Sequence, residues 1–140
     1  MKKSILIPIF AAVGAIALFF VFMPHSAYKA ESEEELRRAV EKFGWILSDE
    51  EPQSCVLTLP EPLTEVFSEY NRLLKKEGFD LTPYAGRQVT RYTFTVLNHK
   101  KGGAVYANLL VCDGRIIAAD IMSPAVDGFM HEINKRSFVK

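Results

Sequence analysis

The most chemically mixed set of side chains in the sequence is Arg91, Thr93, Thr95, Tyr106, Asn108 and Asp120, a guanidinium, a carboxylate, a carboxamide and three hydroxyls. On one face of a sheet, such a set suits hydrogen-bonded recognition of a peptide or glycan on a groove floor. The plainer alternative is a solvated antiparallel face. Tyr84 and Arg87, in the turn Gly78 to Arg87, are further ligand candidates, so the candidate binding surface is Tyr84, Arg87, Arg91, Tyr106, Asn108 and Asp120. A hydrolase built on Asp120 and a residue of the Tyr84 turn needs a pocket with two acids at catalytic separation. No pair of acids is spaced to suggest one, and no GxSxG, P-loop or GxGxxG motif occurs, so no catalytic or cofactor-binding residue is assigned.

Metal chemistry is equally short of ligands. No CxxC or HxxxH spacing occurs; His99 falls in an expected hairpin loop and His131 in the tail. Asp127 and His131 stand four apart, but Gly128 between them disfavours a helix, and the stretch 123–131 reads as an aromatic-capped loop closing the core. Cys55 and Cys112 both fall in expected strands. A disulfide between them is open to an exported domain, although alternation sets Cys112 on the outer face.

The elements that must position these groups follow from spacing. Ser32 and Glu35 form a capping box ahead of Leu36, Ala39, Val40 and Phe43 at helical intervals, and Gly44 supplies the stop. Trp45 to Leu47 and Cys55 to Leu59 read as short strands around the breaker Pro52. A second helix is expected from about Pro62, with Leu63, Val66, Phe67, Tyr70, Leu73 and Leu74 on one face, until Gly78. Its charged face, Glu65, Glu69, Arg72, Lys75 and Lys76, reads as solvated. Phe79 and Leu81 are expected to tuck back against it, leaving Tyr84 half buried.

Beyond Gly78 the period changes to two. Tyr92, Phe94 and Val96, then Val105, Ala107, Leu109 and Val111, then Ile117, Ala119 and Ile121, describe an antiparallel meander with one apolar face on the helices. Asp113-Gly114 invites a two-residue loop, but that register pairs Ala107 with Asp120 and draws an acid onto the apolar face. A three-residue loop is therefore expected, pairing Leu109 with Ala119 and Val105 with Ile121. The connection from Asn98 to Gly103 should be even, setting Thr95 near Tyr106 and Thr93 near Asn108. The expected fold is α+β in two layers, two helices on one face of a four- to five-stranded antiparallel sheet.

Ahead of this domain, Ile5 to Met23 is a 19-residue uncharged run, apolar but for Pro8 and Gly14, behind Lys2 and Lys3. As a helix it spans about 28 Å, close to a bilayer's hydrocarbon thickness. Cleavage after Ala27 or Ala30 would place His25 or Tyr28 three residues before the cut, poor fits to a signal peptidase site, so a retained anchor is preferred to a secreted product. Lys29, Arg37, Arg38 and Lys42 weigh against an inside N-terminus, but long domains translocate largely regardless of charge. Residues 1–30 thus read as signal anchor and linker, and 31–140 as one extracytoplasmic domain at the cell membrane.

Across 140 residues, 17 basic and 17 acidic side chains balance, which argues against a nucleic-acid partner; within 31–140 the net charge is −3. An apolar share of 49% with 8 Gly and 7 Pro excludes a disordered chain. The order Gly44-Trp45, Tyr70-Asn71, Gly78-Phe79-Asp80-Leu81 with Tyr84 and Gly86, Arg91-Tyr92 and Gly128-Phe129-Met130-His131 resembles the bacterial family called domain of unknown function 4830, over residues 33 to 131. That resemblance implies a small membrane-anchored protein, typically of Gram-positive anaerobes, and carries no assigned activity. Ala118-Ala119-Asp120 departs from it where paired glycines are expected before the acid.

The combined expectation is a membrane-tethered extracytoplasmic binding or accessory module whose partner is an envelope polymer or a membrane protein. The alternative is an envelope hydrolase using Asp120. A regulator would instead show an exposed apolar patch.

Overall fold

A computed structural model gives the fold for residues 29–140. The stretch 5–23, and its expected role as an anchor, lies outside the described residues; among these, no helix is long and apolar enough to cross a membrane. Two helices, α1 (Glu33–Glu41) and α2 (Glu65–Lys75), accompany a five-stranded sheet. Its strands are β1 (Gln53–Thr58), β2 (Gln88–Thr95), β3 (Tyr106–Cys112), β4 (Arg115–Met122) and β5 (Met130–Glu132), antiparallel and in chain order.

Both arms of the capping box form at α1: the Glu35 amide donates to Ser32 Oγ, and the Ser32 amide donates to the Glu35 carboxylate. Leu36 and Val40 are buried, and Gly44 takes the left-handed conformation that ends the helix (φ +94). Helix α2 starts later than Pro62, at Glu65, because the Thr64 hydroxyl accepts from the Phe67 amide and so sets the cap. Trp45 to Leu47 does not become a strand. Leu47 makes one bridge to Val96, and the side chain of Asn98 takes up the neighbouring backbone, accepting from Ile46 N (2.8 Å) and donating to Gly44 O (3.0 Å).

Thr95 pairs with Tyr106 and Thr93 with Asn108, as parity requires. Leu109 also meets Ala119, but by another route than an odd loop. Asp113 and Gly114, both at positive φ, form a two-residue turn between Cys112 and Arg115, and a bulge near Ile117 restores the frame. Ile121 consequently pairs with Ala107, not Val105.

The layering differs from the expected two. Phe94 lies under α1, whose Arg37 guanidinium sits 5.2 Å from its ring centre, whereas Asp120, on the opposite face, receives the Tyr70 hydroxyl of α2. One helix therefore covers each face. The physical reason is visible in the central strands: Leu109 to Cys112 and Ile116 to Ile121 are buried without interruption, which a sheet with one wet face does not permit. The face read as outer and solvated is the seat of α2.

Candidate functional site: a groove beneath α2

Burial along α2 is graded. Leu74, near its C-terminal end, is 1% exposed, and Phe67 and Tyr70 are half buried, but Val66 in the first turn is 77% exposed. The end that is held down has a polar clamp. Asn71 Oδ1 accepts from the Leu81 amide (2.7 Å), and its Nδ2 donates to Asp80 Oδ1 (2.9 Å), fastening the chain after Gly78 to the helix. Asp80 accepts from Asn71 and from the Thr82 amide, and these bonds hold its carboxyl below the usual range. Phe79 and Leu81 are buried against the core, as expected, and Tyr84 is half buried.

Beneath the other end a groove of about 480 Å³ opens between helix and sheet, a size suited to a small ligand. Its walls are Val66, Phe67, Tyr70 and Leu73 from α2 and Leu57, Leu110, Met122 and Met130 from the sheet. Arg91, Asn108, Asp120 and Glu69 supply the charge and polarity.

The polar floor is a directed chain. Thr93 Oγ1 donates to Asn108 Oδ1 (2.8 Å), Asn108 Nδ2 donates to Asp120 Oδ1 (3.1 Å), and Tyr70 Oη donates to Asp120 Oδ2 (2.6 Å). Asp120 is 2% exposed, and burial raises its pKa, opposed by the Tyr70 and Asn108 bonds and the charge of Arg91. The Tyr70 hydroxyl is pushed well up by burial and then by the neighbouring carboxylate, so it remains a donor.

Of the six candidate residues, the fold brings Arg91, Asn108 and Asp120 together here. The others do not line the groove. Tyr106 lies two residues further along β3, opposite Thr95 and Met122. Arg87 is ion-paired with Asp113 in the β3–β4 turn, and Tyr84 packs on the core. The Tyr84 turn therefore does not line the groove that holds Asp120; the second acid there is Glu69 of α2. Tyr70 is the member of this polar cluster that the spacing argument does not supply. It was placed correctly on the apolar face of its helix, but a hydroxyl on such a face needs a buried acceptor, and that was the available signal.

Both cysteines are free, Cys55 exposed and Cys112 buried. Strand β2 separates theirs, about 9.5 Å at ordinary sheet spacing, beyond disulfide reach. Among the described residues, no three His, Cys, Asp or Glu side chains gather as metal ligands.

The sheet's other face holds a second cluster. His99 and His131 meet at 2.9 Å between their Nε2 atoms, stacked among Trp45, Phe129 and Phe138. The Lys101 amide donates to His99 Nδ1 (3.1 Å), so the His99 proton sits on Nε2 and is donated to His131 Nε2. His131 then carries its proton on Nδ1 and donates it to the Glu132 carbonyl (2.7 Å). Burial lowers the pKa of both rings, reinforced at His99 by His131 and Lys101 and at His131 by Lys135 and Lys101; the Glu132 bond partly opposes this at His131. The expected closing loop thus ends in a buried histidine and the short strand β5.

Residues 39–121 match the family described as a domain of unknown function (DUF4830). No curated protein and no solved structure matches the chain. The matched span contains Tyr70, Arg91, Asn108 and Asp120, and ends before Met130 and His131.

Proposed function

The chain belongs to the DUF4830 family, and from the groove beneath α2 we propose that it is a membrane-tethered, extracytoplasmic binding module that holds an apolar ligand between helix and sheet. The observation that carries this reading is the groove itself, an apolar-walled space with a few convergent polar groups at its floor. Tethering is supported by the uncharged run 5–23 behind Lys2 and Lys3, long enough for a bilayer. The walls favour an apolar ligand over an envelope polymer, because a glycan needs many hydrogen-bonding partners and the floor's donors and acceptors are occupied by one another.

Native mass spectrometry of the full-length protein, extracted gently from its membrane, tests this against Leu110→Trp, which fills the groove, and Val66→Asp, which puts a charge on its exposed lip. The expected result is a bound small-molecule mass on the wild type that both variants lose. The same mass on all three proteins, or none on any, overturns the reading.

A further inference from the structure

Three charged side chains line the groove, and two are satisfied. Asp120 accepts from Tyr70 and Asn108, and Glu69 pairs with Arg72 at 2.7 Å. Arg91 is exposed, and its guanidinium makes no hydrogen bond or close ion pair among the described residues, acting on Asp120 only through its charge. An unpaired guanidinium at the mouth of an apolar groove presents a planar fork to an anion, with geometry matched to two oxygens.

The rest of the groove describes what that anion is attached to. Val66 and Met130 stand at its lips as exposed large apolar side chains, 77% and 47%. Met122 and Met130 bring flexible thioethers that adapt to an irregular chain. The space lies over a sheet face, not along a strand edge, so the surrounding backbone groups already serve the sheet and the helix. An extended peptide laid there would bury its own amides without partners; an acyl chain has none to satisfy. Buried Asp120 also sets a direction, since a carboxylate deep in the groove would meet its charge, whereas one at the mouth meets Arg91.

Resting on the binding reading above, we propose that the occupant is a free fatty acid, its chain between Phe67 and Leu73 of α2 and Leu110 and Met122 of the sheet, its carboxylate on Arg91. No bond is made or broken; the module holds the acid.

Full-length protein in phosphatidylcholine vesicles is irradiated with three diazirine probes: palmitic acid, the matching alcohol, and phosphatidylcholine with the same tagged chain. Labelled peptides are mapped by mass spectrometry. The acid is expected to label peptides of α2 and of β4–β5, and excess untagged palmitate to suppress that labelling. Arg91→Ala should lower it about tenfold and leave the alcohol unchanged, a loss in keeping with a charge-assisted hydrogen bond. Arg91→Lys should retain part of it. Arg91 is exposed, and a thermal melt confirms that its variants fold.

Equal groove labelling by acid and alcohol, or an Arg91→Ala protein that labels like the wild type, overturns carboxylate recognition and leaves the groove a binding site. Preferred labelling by the tagged phosphatidylcholine overturns the free acid in favour of a diacyl lipid. Groove peptides untouched by every probe overturn the fatty acid, and the native masses above then decide whether the binding reading falls with it.

Discussion

On the face of the sheet that carries Phe94, Leu109 and Ile121, the core packs against Leu36 and Val40 of α1 and the aromatic rings of the tail. Trp45 is 1% exposed and donates its indole N–H to the Ile133 carbonyl (2.7 Å), and two neutral imidazoles are hydrogen-bonded end to end among aromatic rings. On the face that carries Arg91, Asn108 and Asp120, the covering helix is fastened at Leu74 and Asn71 and leaves a groove beneath its first turns. Both faces bury titratable groups, but with opposite consequences. On the closed face burial disfavours the charged form of both imidazoles, whereas the open one keeps a carboxylate and surrounds it with donors. Under the proposed binding function, stability and recognition fall on opposite sides of five shared strands.

The sharpest way to break this contrast is at Trp45. Trp45→Ala should cost about 3–5 kcal/mol in urea unfolding, because it opens a cavity and strands the Ile133 carbonyl. A cost near zero would mean the closed face does not hold the fold.

A pH titration separates the two faces without large truncation. His99 and His131 have folded pKa values below the ordinary histidine value, so their contribution is present above about pH 6.5 and is lost as pH falls through the folded values. Asp120 has the reverse sign: its folded pKa is raised, so its contribution is present in acid and is lost as pH rises through that raised value. Asp80 and Glu132 are lowered carboxylates, so the stability they supply is lost only further into acid. Thermal melts from pH 8 to 5.5 therefore carry opposing contributions from the two faces, and His99→Phe/His131→Phe should remove the one that falls with acidification, whatever the variant's melting point at pH 8. An unchanged pH dependence would show that the pair does not titrate on unfolding.

On the open face, Tyr70→Phe removes one of the two side-chain donors to the buried carboxylate. It should cost about 1–3 kcal/mol at neutral pH, and less in acid once Asp120 is protonated. Equal cost at both pH values would mean that the hydroxyl serves packing and not the charge. The smallest effect is expected at the groove's lip. Val66→Asp should leave stability within about 0.5 kcal/mol, as for other exposed sites, and still abolish ligand retention. A Val66→Asp protein that unfolds early would erase the division of labour between the faces.

Local chemistry was legible in the chain. The Ser32/Glu35 spacing determined the start of α1, alternation determined the pairing of Thr93 with Asn108 and of Leu109 with Ala119, and side-chain parity put Arg91, Asn108 and Asp120 on one face. Each depends on neighbours in sequence or on the two-residue period of a strand. The uninterrupted apolar runs 109–112 and 116–119 also signalled a sheet covered on both sides, a signal that the alternation of β2 masked. Tertiary structure alone decided the rest. It sent α2 to the polar face, where Tyr70 reaches Asp120 fifty residues away, and it used a bulge instead of an odd loop to keep the register. It also brought His99 of a loop against His131 of the tail, and drew Arg87 off to Asp113. These outcomes depend on how a helix with one apolar stripe divides two apolar sheet faces with its neighbour, and no periodicity within a single segment encodes that choice.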